Sequence, residues 1–161
     1  LVVSALRGNA GAGGAFLALA ADQVWAQAGV VQNPHYKNMG NLYGSEYWTY
    51  LLPRRVGAAG VAAVMDNRLP LGTAAALRAG LLDAVIDAPR EAWLDEIEAR
   101  ALALATADDF PARLAARNEA RRRDFAAKPL ALYRTEELER MRLNFYGFDP
   151  SYHVARHRFM H

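Results

Sequence analysis

The 161-residue sequence contains no cysteine, which excludes disulfides, thiolate metal sites and a cysteine nucleophile. Such a composition suits a reducing compartment, and a cytoplasmic location is the expectation. Nothing in the chain approaches the roughly 20 consecutive apolar residues of a spanning helix, so no membrane partner is expected. A charge of one sign is also missing: 19 basic residues face 17 acidic ones, for a net charge of +2. The whole chain is therefore no polycation, and nucleic acid is not an expected ligand. Apolar residues make up 53%, which excludes intrinsic disorder, and the length allows one domain with a sizeable core. The chain opens in the apolar run Leu1-Val2-Val3 without a methionine, a start expected of a piece of a longer protein.

What is present begins with a strand, a glycine turn and a helix. Leu1 to Leu6 reads as a buried strand, and Gly8, Gly11, Gly13 and Gly14 let the backbone turn before a small-residue helix over Ala15 to Ala21. Phe16 stands where a dinucleotide fingerprint needs its third small residue, and no Lys-Ser or Lys-Thr follows to make a P-loop. The turn still presents bare helix-start amides to a partially charged oxygen. Gln23–Gln27 and Gly29–Gln32 read as two short strands.

The stretch from Asn33 to Arg55 then combines turn residues with Tyr36, Tyr43, Tyr47, Trp48 and Tyr50. Aromatics in a polar loop beside a helix start predict a pocket wall. Ser45 is the predicted N-cap of the following helix, with Glu46 in its first turn. Further on, Thr73 reads as an N-cap, Gly80 as a helix-ending glycine and Leu82–Ile86 as a strand.

Beyond Pro89 the pattern is helical, over Ala92–Thr106, Ala112–Ala127, Leu130–Phe145 and Ser151–Met160, with a break predicted at Phe110-Pro111. His153, His157 and His161 share a spacing of four, but no carboxylate joins them at ligand spacing, and no metal is expected. Arg113, Arg117, Arg121, Arg122 and Arg123 form a basic run. It reads as a solvated face balanced by Glu119 and Asp124, or as a contact for anionic phosphates.

The segment Leu6-Arg-Gly-Asn-Ala-Gly-Ala-Gly-Gly-Ala-Phe-Leu-Ala-Leu-Ala-Ala-Asp22, with Leu52-Pro-Arg-Arg-Val-Gly57 and the run from Leu71 to Ile86, resembles the crotonase (enoyl-CoA hydratase/isomerase) superfamily. The resemblance implies an α/β fold, a partial crotonase-like spiral of ββα units over residues 1–90, with a helical C-terminal extension over residues 91–161; it also implies a helix end over Leu52–Gly57 and the next helix over Gly57–Asp66. It makes the Gly13 amide an oxyanion-hole donor and coenzyme A the carrier of the substrate. The hydratase's two catalytic carboxylates do not carry over: Phe16 stands at the first position, and His35, after Pro34, at the second.

Within that superfamily, Asn33-Pro-His-Tyr-Lys-Asn-Met-Gly-Asn-Leu-Tyr-Gly-Ser-Glu-Tyr-Trp-Thr-Tyr-Leu-Leu-Pro53 and Leu143-Asn-Phe-Tyr-Gly-Phe-Asp-Pro-Ser-Tyr-His-Val-Ala-Arg156 resemble the C-terminal domain of the HypX/HoxX family of hydrogenase maturation factors. That family likeness implies carbon monoxide release from formyl-CoA for a nickel–iron hydrogenase centre, with maturation proteins as partners. Tetrahydrofolate would enter only through an N-terminal domain absent from this chain. The catalytic candidates are Tyr36, Glu46 and Gly13, and the candidate pocket residues are Phe16, Pro34 and His35. Each has a plainer reading: Tyr36 and Phe16 as core aromatics, Glu46 as a helix-end carboxylate, Gly13 as a steric turn residue. The competing functions are another acyl-CoA hydratase, isomerase or hydrolase, and a non-catalytic scaffold.

Overall fold

The computed structural model describes residues 1–161. Its framework is two narrow sheets built in alternation. The chain enters through β1 (Val3–Leu6), turns into β2 (Ala10–Gly11) and runs into α1 (Gly13–Leu19). It repeats the pattern with β3 (Gln23–Gln27), β4 (Val31–Asn33) and α2 (Trp48–Met65), and closes with β5 (Leu71–Gly72), α3 (Thr73–Arg78) and β6 (Ala84–Ile86). One sheet is all parallel, in the order β1-β3-β6; the other has the order β2-β4-β5, with β5 antiparallel to β4. Successive ββα passes that feed one strand to each sheet make a spiral.

The short apolar runs form strands because both faces of the parallel sheet are covered. On one face Val24 and Ala26 meet Phe16, Leu19, Leu52 and Leu81 in the main core. On the other, Trp25 and Ile86 pack against Trp93 of α4 (Trp93–Ala105). Three further helices follow: α5 (Phe110–Ala127), α6 (Leu130–Tyr146) and α7 (Ser151–Met160).

Several helix ends differ from the sequence expectation. Pro111 does not break a helix but sits in the first turn of α5, where its missing N–H has no intrahelical partner to lose. Thr73 is the first residue of α3 rather than its cap, which falls at Gly72. Gly80 takes φ 81° and ends α3 as expected: its N–H bonds Leu77 at 3.1 Å, and that of Leu81 bonds Ala76 at 2.9 Å. The helix end and new start expected at Gly57 are found: with φ 72° and ψ 160° its backbone is non-helical and divides α2 into two helical stretches. Ser45 does not cap α2, which begins three residues later with Tyr47 at the cap position.

Candidate active site

The loop between β4 and α2 is folded around Tyr36. That side chain is 4% exposed, stacked on Phe16 with ring centroids 5.9 Å apart. Gly44, with φ 81°, closes over the other side, and any Cβ there would overlap the Tyr36 ring. Phe16 itself is fully buried and also faces Trp48, at 6.4 Å between centroids. The phenol is thereby fixed, and its hydroxyl donates a hydrogen bond to Oε2 of Glu46.

Glu46 is not in the first turn of α2, which contains no acidic residue. It stands two residues ahead of the helix and reaches back to Gly13. Oε2 also accepts the N–H of Ser45 at 2.9 Å, so both bonds to the carboxylate fall on one oxygen. Oε1 carries no hydrogen bond and points to Gly13, where a Cβ would come within 3.2 Å of it. The geometry thus leaves one carboxylate oxygen free beside Gly13, the first residue of α1, and first-turn amides have no intrahelical acceptor. Glu46 is exposed, whereas Tyr36 behind it is buried. Burial, the hydrogen bond to Glu46, and the negative charges of Glu46 and Glu137 all push the phenol's pKa up, so it stays neutral.

Gly13, Phe16 and Glu46 share the wall of one cavity of ≈ 980 Å³, together with Arg54, Arg117 and Arg134. The cavity's other carboxylate, Asp22, is already engaged: it bonds Arg117 and Arg121 at 3.0 Å each and accepts the Val2 N–H at 2.8 Å. Burial alone would raise its pKa. The Arg117 hydrogen bond, the Val2 N–H, and the charges of Arg121 and Arg117 together bring it below the ordinary aspartate value.

The structure thus brings together Gly13, Phe16, Tyr36 and Glu46, and leaves the other two candidates aside. Pro34 and His35 are buried but do not line the cavity. His35 accepts the Lys37 N–H on Nδ1 at 3.1 Å, while its Nε2 is buried without a partner. Lys37 pairs with Asp66 at 2.9 Å. No three potential metal ligands come together: His153 bonds the Phe145 carbonyl, and His157 packs against His161 with tilted rings, 4.7 Å between centroids. The basic run divides: Arg122 and Arg123 pair with Glu119 on the helix surface, whereas Arg117 and Arg121 turn inward to Asp22.

One set of residues had no signal in the sequence. Arg134, Glu137 and Asn144 of α6 bond the loop and the start of α2 across sequence separations of 88 to 103 residues. Local spacing carries no information about such pairs.

A family model described as enoyl-CoA hydratase/isomerase matches residues 1–146. The chain belongs to the enoyl-CoA hydratase/isomerase family, with the crotonase fold. Its sequence is 58% identical over all 161 residues to the hydrogenase maturation factor HoxX of Bradyrhizobium diazoefficiens, and it spans 28% of that protein. HypX from Aquifex aeolicus, in a crystal structure with tetrahydrofolic acid, is 45% identical and superposes with a TM-score of 0.89, over 98% of this chain and 28% of that one. The chain is thus a homologue of HoxX and HypX. Enoyl-CoA hydratase from Bacillus halodurans shares the fold at a TM-score of 0.70 and 22% identity, over 86% of this chain and 53% of that one.

Proposed function

We propose that this chain is the part of a HypX/HoxX-type maturation factor that converts formyl-CoA into carbon monoxide and free coenzyme A for a nickel–iron hydrogenase. The observation that carries the reading is the Tyr36–Glu46 pair with Glu46 Oε1 left free at Gly13. Oε1 takes the formyl proton. The C–H electron pair becomes the carbon lone pair of carbon monoxide, and the C–S bond breaks with its pair on sulfur. The thiolate then recovers the proton from Glu46, so no oxidant or reductant is needed. Tyr36 stays neutral and holds Oε2, which orients the carboxylate, while the Gly13 amide steadies the thioester oxygen. Tetrahydrofolate use, to which the HypX complex points, would lie with residues outside this chain.

A hydratase reading fits the residues poorly. Glu46 is the one cavity carboxylate not held in ion pairs, whereas hydration uses two. A second reading, hydrolysis to formate, is favoured by the exposure of Glu46 to solvent. The test is carbon monoxide release from formyl-CoA by the full-length protein. Glu46→Gln is expected to slow it about 10²-fold or more, the scale of a positioned acid or base. Tyr36→Phe should slow it about tenfold or more, as expected for loss of a hydrogen bond to a charged group. An unchanged rate in Glu46→Gln would remove the carboxylate from the mechanism.

A further inference from the structure

Helix α6 grips the chain on both sides of Glu46. The Arg134 guanidinium donates to the Ser45 carbonyl, the residue before it. Glu137, one helical turn along and fully buried, accepts the Tyr47 N–H at 2.8 Å, on the residue after it. The other oxygen of Glu137 accepts the Thr49 N–H at 2.9 Å and the Thr49 hydroxyl at 2.6 Å. Two turns further, Asn144 accepts the Tyr43 N–H at 2.9 Å and donates to the Asn41 carbonyl at 3.3 Å. Between these grips, Tyr47 adopts φ 58°, a left-handed conformation that a tyrosine holds only when its surroundings enforce it. Helix α2 has no capping side chain of its own, and its first amides are satisfied by Glu137 from α6.

We infer that Arg134 and Glu137 are positioning residues that set the Glu46 carboxylate between Tyr36 and Gly13. The inference deepens the proposed decarbonylation and rests on it for the role of Glu46. All three groups that meet Glu137 are donors, so the position needs acceptors at both oxygens. A glutamine would turn its NH2 towards an N–H. The chain is then free to relax at Tyr47, and Glu46 swings off Gly13.

The experiment uses the full-length protein with Glu137→Gln, Arg134→Ala and Arg134→Lys. Two readouts are taken: hydrogen exchange of residues 44–50, and the kinetics of carbon monoxide release from formyl-CoA. Exchange at 44–50 is expected to rise about tenfold or more in Glu137→Gln and Arg134→Ala, with β1 and β3 unaffected. Their kcat should fall about tenfold or more, KM should stay within about threefold, and Arg134→Lys should recover part of the rate. In a Glu46→Gln background, Glu137→Gln should cost nothing further, because the residue it positions is gone. Additive losses in the double variant, unaltered exchange at 44–50, or loss of protection throughout the protein would each overturn the inference. A wild-type protein that releases no carbon monoxide sinks the functional reading instead, and the exchange result then decides the positioning role alone.

Discussion

Gly44 is where a single residue type does the most for the site. Its φ of 81° and the closeness of the Tyr36 ring leave no room for a Cβ. The left-handed backbone alone costs a non-glycine residue about 1–2 kcal/mol, and displacing the ring adds to it. Gly44→Ala is therefore expected to lower the melting temperature by about 4 °C or more at the usual slope for a chain of this size. It should also slow carbon monoxide release to the level of Tyr36→Phe. A variant with unaltered melting temperature and rate would show that Tyr36 is not seated against Gly44. At this scale the sequence was informative about identities and poor about roles. Tyr36 and Glu46 stood out as a phenol and a carboxylate in one aromatic-rich loop. Their direct bond did not, because they lie ten positions apart in a folded loop. Glu46 read as a first-turn carboxylate because Ser45 has the chemistry of an N-cap. The left-handed turn at Tyr47, which delays the helix to Trp48, leaves no mark in local propensity.

Among the elements, α5 shows how a basic run is sorted by its surroundings. Periodicity located the helix, but charge counting could not separate its solvated face from its bound one. Arg117 and Arg121 hold α5 to Asp22, at the residue between α1 and β3. Because the folded-state pKa of Asp22 lies below its unfolded value, near 4, this contribution is fully present above about pH 4. It is lost as the pH falls through the folded value. Asp22→Asn should lower the melting temperature at pH 7 by about 3–10 °C, from the cost of losing hydrogen bonds to a charged group. The deficit should shrink as the pH is taken towards 3. A deficit of the same size at both pH values would mean that the aspartate acts through something other than its charge. Strand existence was legible at β1, β3, β4 and β6, where apolar runs and glycine punctuation agree, but not at β2 and β5, whose two residues each are too few to show a pattern. The helix starts were not, since Gly72 and Tyr47 cap without any side-chain bond.

Over the whole molecule, the glycine turn at Gly11–Gly14 announced the superfamily, and the stretches Asn33–Pro53 and Leu143–Arg156 the family within it, before any coordinates. Two uncommon stretches in the right order carry more information than composition. The dependence of the site on α6 was invisible by contrast, because the buried Glu137 looks in sequence like any other glutamate of a charged helix. The central chemical claim is that the formyl carbon leaves as carbon monoxide and not as formate. Full-length protein supplied with formyl-CoA labelled with carbon-13 at the formyl group tests it in a single product analysis. Labelled carbon monoxide and free thiol should appear in equal amounts, with formate no higher than in the uncatalysed reaction. Labelled formate in step with the thiol, without carbon monoxide, would contradict the account and make the site a thioester hydrolase.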